Sequence, residues 1–139
     1  MLFRSGLNNL GGLLQAMGDL PAARPYLERA LAVSERVLGP EHPATATSLN
    51  NLGGLLQDMG DLPAARPYLE RALAVRERVL GPEHPDTAAG LNNLGALLVE
   101  LGRVDEGRPF LERALAIYTA RLGPDHPDTK VTAAWLRGV

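Results

Sequence analysis

An all-α array of stacked helical hairpins is the fold this sequence predicts, and three observations predict it. The stretch "LNNLGGLLQ" at Leu7 returns at Leu49 and, as "LNNLGALLV", at Leu91, each time after 42 residues. Aligned at that period, residues 7–48 and 49–90 differ only at Ala16/Asp58, Ser34/Arg76, Ala44/Asp86, Thr47/Ala89 and Ser48/Gly90, which leaves 37 of 42 identical. Within each copy apolar residues recur at helical spacing, and Gly-Asp or Gly-Pro pairs separate the periodic stretches. Self-similarity on this scale marks units that bury their apolar faces only against neighbouring units.

The second copy shows how each element arises. Leu49, Leu52, Gly53, Leu56 and Met59 fall on one side of a 3.6-residue wheel, which predicts an amphipathic helix A. Gly60 is placed to close it, and Asp61 can cap the next helix. Helix B, "LPAARPYLERALAVRERVL", carries Leu62, Ala65, Leu69, Ala72, Leu73 and Leu80 at helical spacing until Gly81-Pro82 stops it. Pro85 then opens the next helix A, since the missing proline N–H costs nothing in a first turn. Short connections at Gly18-Asp19, Gly60-Asp61 and Gly102-Arg103 make A and B antiparallel neighbours. The expected organisation is one domain over residues 1–139, with repeats at about 1–42, 43–84 and 85–126 and a terminal helix at 127–137.

Two features run against simple helix propensity. Gly11, Gly53 and Gly95 lie on the apolar side of helix A, at a cost of about 1 kcal/mol each relative to alanine. Close packing against Ala23, Ala30, Ala65, Ala72 and Ala114 of helix B is the expected reason. Pro25, Pro67 and Pro109 sit about one turn inside helix B, which predicts a bend or a carbonyl at Pro21, Pro63 and Asp105 left to water.

Composition narrows the function classes. With 14 basic and 16 acidic residues in alternating clusters and a net charge of −2, the chain has no basic stripe suited to nucleic acid or to an anionic membrane surface. Cysteine is absent, so disulfide and thiol chemistry are excluded. No apolar run reaches the length of a signal peptide core or a membrane span, and a cytoplasmic location is the default expectation.

Nothing in the sequence assembles a catalytic or metal site. His42, His84 and His126 recur once per copy in "GPEHP" or "GPDHP" with no second ligand at i, i+3 or i+4, so service to the turn before a helix-starting proline is expected rather than a metal row. Glu41, Glu83 and Asp125 read as solvated turn acids. No phosphate loop, nucleophile elbow or carboxylate pair appears, and neither an enzyme nor a cofactor is expected. Arg66–Glu70 and Arg108–Glu112 stand at i, i+4 on helix B and predict exposed pairs that contribute a few tenths of a kcal/mol.

The pattern L-x-x-L-G-x-x-L-x-x-x-G-D-x-x-x-A-x-x-x-L-x-x-A-L resembles the tetratricopeptide repeat. The longer unit here, with "LNNLG" and "YLERALAV-ERVLGPEHPDT", is similar to the repeats of kinesin light chains and covers about Arg4 to Thr129. Leu7, Leu49 and Leu91 stand where that family often has tryptophan, and Gly107 replaces a small alanine. The resemblance implies a right-handed alpha-alpha superhelix of three hairpins plus a C-terminal capping helix. It also implies a non-catalytic scaffold whose A helices line a concave groove that binds an extended peptide or a partner protein.

On that reading the face of helix A opposite the leucines looks into the groove. The expected groove residues are Asn8, Asn9 and Gln15 in the first copy, Asn50, Asn51, Gln57 and Asp58 in the second, and Asn92, Asn93 and Glu100 in the third. A carboxamide donates and accepts, so a ladder of them can pair with a peptide backbone. The second of each pair, Asn9, Asn51 and Asn93, lies nearer the inter-repeat seam on the wheel, where satisfying a neighbouring helix is its alternative role. A carboxylate clamp needs cations near the start of helix A. Ser5, Thr47 and Ala89 stand there, so that clamp is not expected, and Asp58 and Glu100 on the groove floor, with no lysine, favour a neutral or mildly basic peptide.

The ends suggest a second role. Arg137 occupies the slot of the packing glycine and suits a capping helix, while Trp135 falls where asparagine stood, either covering the last groove segment or marking an exposed adhesive spot. Met1-Leu2-Phe3 leads directly into helix A, an uncapped apolar start. Self-association through that end, with the chain as a self-assembling or spacer module of a larger protein, is the alternative function.

Overall fold

The structure, a computed structural model, describes residues 4–139, so the apolar start Met1-Leu2-Phe3 lies outside the described residues. Among the described residues there are seven helices and no strand. They are α1 (Arg4–Ala16), α2 (Leu20–Val37), α3 (Pro43–Asp58), α4 (Leu62–Leu80), α5 (Pro85–Glu100), α6 (Val104–Leu122) and α7 (Pro127–Arg137). Odd-numbered helices are the A helices of the sequence pattern, and even-numbered ones are B. Two compact units, Met1–Val75 and Arg76–Val139, divide the chain within α4.

In unit 1, α1 packs against α2, and α3 packs against both. Its core holds the predicted Leu49, Leu52 and Leu56 with Leu7, Ala23, Ala30 and Ala65, and adds Leu55, which the wheel left off the apolar stripe, while Met59, placed on that stripe, is 38% exposed at the helix end. In unit 2, α5 packs against α6 and α6 against α7, around Leu91, Leu97, Leu98, Leu111 and Ala114. The helices α1, α3 and α5 end as the glycines predicted. At Gly60 (φ +82°) the amide donates to the Gln57 carbonyl and that of Asp61 to the Leu56 carbonyl. This pairing closes a helix C-terminus around a left-handed residue. Asp19, at the equivalent of Asp61, makes no side-chain capping bond, and only its carbonyl serves the helix, accepting from Ala23 N at 3.1 Å.

The helical glycines do what their cost implied. A Cβ on Gly53 would stand 2.7 Å from Leu69 Cδ2, and one on Gly11 2.6 Å from Leu27 Cδ2. The third hairpin is tighter still: a Cβ on Gly107 would lie 2.7 Å from the Gly95 carbonyl oxygen. Helix B runs unbroken through Pro25, Pro67 and Pro109. All three, with Pro21, Pro63 and Asp105 four residues earlier, are exposed, so each lost helical bond falls on the solvent side. Arg66 pairs with Glu70 at 3.5 Å as expected, but Arg108 reaches back to Asp105 at 3.3 Å rather than on to Glu112. Positions three and four apart are equally neighbours on a helix, and the first-turn carboxylate of Asp105 competes.

Candidate functional site

The residues between the hairpins set where each A helix begins. His42, His84 and His126 are the N-caps of α3, α5 and α7, and each Nδ1 accepts from the backbone N–H two residues on, at 3.0, 2.9 and 3.1 Å. A threonine that the sequence pattern did not single out completes each turn. Thr45, Thr87 and Thr129 are buried and donate to the carbonyls of Gly39, Gly81 and Gly123 at 2.8 Å. The histidines thus serve the turn, and among the described residues no group of three His, Cys, Asp or Glu could hold a metal ion. Substituting His84 by alanine is expected to cost about 1 kcal/mol through the lost cap, read as a lower denaturation midpoint.

With α1 and α3 so placed, unit 1 presents a cavity of about 440 Å³ lined by Arg4, Ser5, Asn8, Asn9, Gly12, Gln15, Leu27, Thr47 and Asn51. Four of the expected residues, Asn8, Asn9, Gln15 and Asn51, come together there, and Asp58 joins them by accepting from Gln15 Nε2 at 2.6 Å. Asn50 and Gln57, also on α3, are half-buried and do not line this cavity, and each has a partner. Asn92, Asn93 and Glu100 belong to unit 2, where Asn93 and Glu100 also have partners.

In the first and third copies the seam role falls to a residue for which the groove was expected. It is the first of the pair that spans neighbouring A helices: Asn8 Nδ2 donates to Ser48 Oγ at 3.1 Å, and Asn92 Oδ1 accepts from Thr132 Oγ1 at 2.8 Å. Asn9, the second of its pair, is exposed at the cavity wall. Asn8 retains one buried, unpartnered atom, Oδ1. Arg4 and Leu27 are the lining residues that sequence reasoning missed, and Arg4 is the polar one. It precedes Asn8 by four residues, one helical turn on the same face, and that spacing was the available signal. Its guanidinium adds a cation to a wall where the sequence pattern placed none.

Unit 2 has its own cavity, of about 370 Å³, walled by Val99, Val131, Ala134, Trp135, Gly138 and Val139. At the 42-residue period these positions repeat those of the first cavity: Val131 follows Ser5 and Thr47, Ala134 follows Asn8, Trp135 follows Asn9, Gly138 follows Gly12 and Val99 follows Gln15. The same face of helix A is therefore polar in one unit and apolar in the other. Trp135 is half-buried and forms part of that apolar wall.

Comparison with known families follows the same repeat boundaries. One family model for the tetratricopeptide repeat matches residues 3–74 and again 46–103, and a second matches residues 87–128. The chain belongs to the tetratricopeptide repeat family. No curated protein matches it. Among solved structures, a candidate kinesin light chain of Podosopora anserina with nearly identical TPR-like repeats is 27% identical, with a TM-score of 0.87 over 95% of this chain and 63% of that one. BtubC (BKLC) from P. vanneervenii is 28% identical with a TM-score of 0.87, over 97% of this chain and 54% of its own. The TPR domain of Arabidopsis FLU, at 19% identity and a TM-score of 0.71 over 88% of this chain and 96% of that one, shares the fold. This tetratricopeptide chain thus spans 63% and 54% of the lengths of the first two. Tetratricopeptide repeats are in general protein-interaction or scaffold elements and typically non-catalytic, and no described helix is long and apolar enough to cross a membrane.

Proposed function

We propose that residues 1–139 act as one non-catalytic repeat domain that holds an extended peptide segment of a partner protein against its A-helix faces. The observation that carries this reading is the unit 1 cavity, where amides, hydroxyls and one guanidinium converge beside Gly12, which has nothing within 4 Å of a Cβ position. Such a surface offers donors and acceptors to a peptide backbone, with one cation, Arg4, available to a carbonyl or carboxylate oxygen. The apolar cavity beside Trp135 gives the same face in unit 2 room for a bulky apolar side chain.

The test uses Asn9 and Asn51, which line the cavity and make none of the seam bonds described above. Asn9→Ala with Asn51→Ala is expected to leave helix content and denaturation midpoint unchanged while weakening capture of a partner peptide, mapped from a pull-down, by about tenfold or more, as for loss of two peptide hydrogen bonds. Unchanged affinity would remove the A-helix face from the reading.

A second reading, self-association, is favoured by one observation. Leu13 of α1 and Met17 just after it are 57% and 70% exposed, whereas Leu55 and Leu97, the counterparts of Leu13, are fully buried. Mass by light scattering over a concentration series separates the two: a constant monomer supports peptide capture, and a rising mass supports assembly through this edge.

A further inference from the structure

Copies one and two differ at five positions, and three of these belong to one spot in register: 34/76, 44/86 and 48/90. In unit 1, Ser34 on α2 and Ser48 on α3 are fully buried, with their Oγ atoms 3.2 Å apart. Ser48 also accepts from Asn8, and Ala44 lies one turn before it on α3. In unit 2 the counterparts are Arg76, Asp86 and Gly90. Arg76 is 7% exposed with Nη1 unpartnered. Burial lowers its pKa, while Asp86 and Tyr118 act the other way. Gly90 stands in register with Ser48 and omits its side chain, as the longer arginine at the position of Ser34 would require. The third set is Tyr118, Asp128 and Thr132. Tyr118 is 4% exposed, and its hydroxyl is pushed up to about 12 by burial and then by the Asp128 charge. Thr132 is fully buried and bonded to Asn92.

We propose that these three sets are stacking addresses, which decide which B helix can seat which following A helix in a chain whose repeats are otherwise nearly interchangeable. The sets are Ser34–Ala44–Ser48, Arg76–Asp86–Gly90 and Tyr118–Asp128–Thr132. The addresses act by penalising wrong pairs. Arg76 set against α3 would meet Ser48 where it has a glycine and Ala44 where it has Asp86, so a guanidinium already buried with Nη1 unpartnered would also lose the nearby acid that favours its charge. Ser34 set against α5 would leave a void above Gly90, where arginine stands in the native pairing. Discrimination built from unfavourable mismatches protects near-identical repeats from slipping or exchanging between molecules. The inference is independent of what the A-helix faces bind.

Grafting the second address into the first seam tests it. Ser34→Arg alone is expected to lower the ratio of folded to unfolded chain on the order of a hundredfold, as for a buried charge that has lost its partner. Adding Ala44→Asp and Ser48→Gly is expected to regain most of that loss. A triple variant no more stable than the single one, or a single variant as stable as wild type, would overturn the proposal. Should Ser34→Arg not fold, Arg76→Ser decides in the other direction, because adding Gly90→Ser should then recover stability, and no recovery counts against the addresses. The triple variant also carries the same address at two seams. Refolded at rising concentration, it is expected to give several-fold more dimer and larger species by light scattering than wild type, and an equal yield would overturn the role in exchange.

Discussion

Gly107→Ala is expected to destabilise this protein by about 2 kcal/mol, an effect opposite in sign to that expected of Gly12→Ala. The added Cβ at 107 would lie 2.7 Å from the Gly95 carbonyl oxygen and 3.1 Å from Leu98 Cβ. Neither neighbour is the free end of a flexible side chain, so α5 and α6 must part along a face that holds Leu97, Leu98 and Leu111, all fully buried. Overpacking of that kind costs about 1–3 kcal/mol, more than the helix-propensity gain of up to about 1 kcal/mol that alanine brings. The register equivalents Ala23 and Ala65 carry a methyl without such a cost because their hairpins are looser. A Cβ on Gly11 or Gly53 stands 3.5 or 3.4 Å from the facing carbonyl, against 3.1 Å for Gly95. At Gly12 nothing lies within 4 Å, so only the propensity gain remains and the variant should be more stable than wild type. Urea denaturation followed by helical circular dichroism reads both. A Gly107→Ala midpoint equal to that of wild type would show that the two helices separate freely.

Most of the fold was legible because every helix is written more than once. The limits of α4, Leu62 and Leu80, coincide with the end of Gly60-Asp61 and the start of Gly81-Pro82, and both signals are local backbone chemistry that needs no neighbour to act. What escaped depends on partners far along the chain. A wheel drawn for one helix places Asn8 and Asn9 only about 100° apart, and which of them meets the next A helix is set by Ser48, forty residues on. Arg4 escaped because a carboxylate clamp would need its cation at Ser5, one position away. The turn threonines Thr45, Thr87 and Thr129 escaped for a different reason. A threonine in a first helical turn reads as ordinary until the carbonyl six residues earlier is brought within 2.8 Å of it. The candidate surface was thus foreseen as a set of residue types on a face, and the division of labour within the set came from packing.

Leu69→Ala is the second large loss, and pairing it with Gly53→Ala shows why the glycine is there. Leu69 is 1% exposed, and truncating such a leucine costs about 2–5 kcal/mol through lost burial and the void left behind. Gly53→Ala alone is also unfavourable, since its Cβ would lie 2.7 Å from Leu69 Cδ2 and 2.9 Å from Leu69 Cγ. The leucine is confined by the core around it and cannot swing clear, so overpacking outweighs the propensity gain. Combined, the two changes no longer oppose each other. The atoms that collide with the new methyl are gone, the methyl enters part of the void, and α3 gains about 1 kcal/mol of helix propensity. The double variant is therefore expected to be more stable than the sum of the single losses by about 1–3 kcal/mol, the coupling typical of residues that share one space. Additive losses would mean that the methyl and the leucine do not compete for that space. Coupling of the expected sign would show that glycine is kept in helix A for the leucine it lets in, at the expense of the helix that carries it.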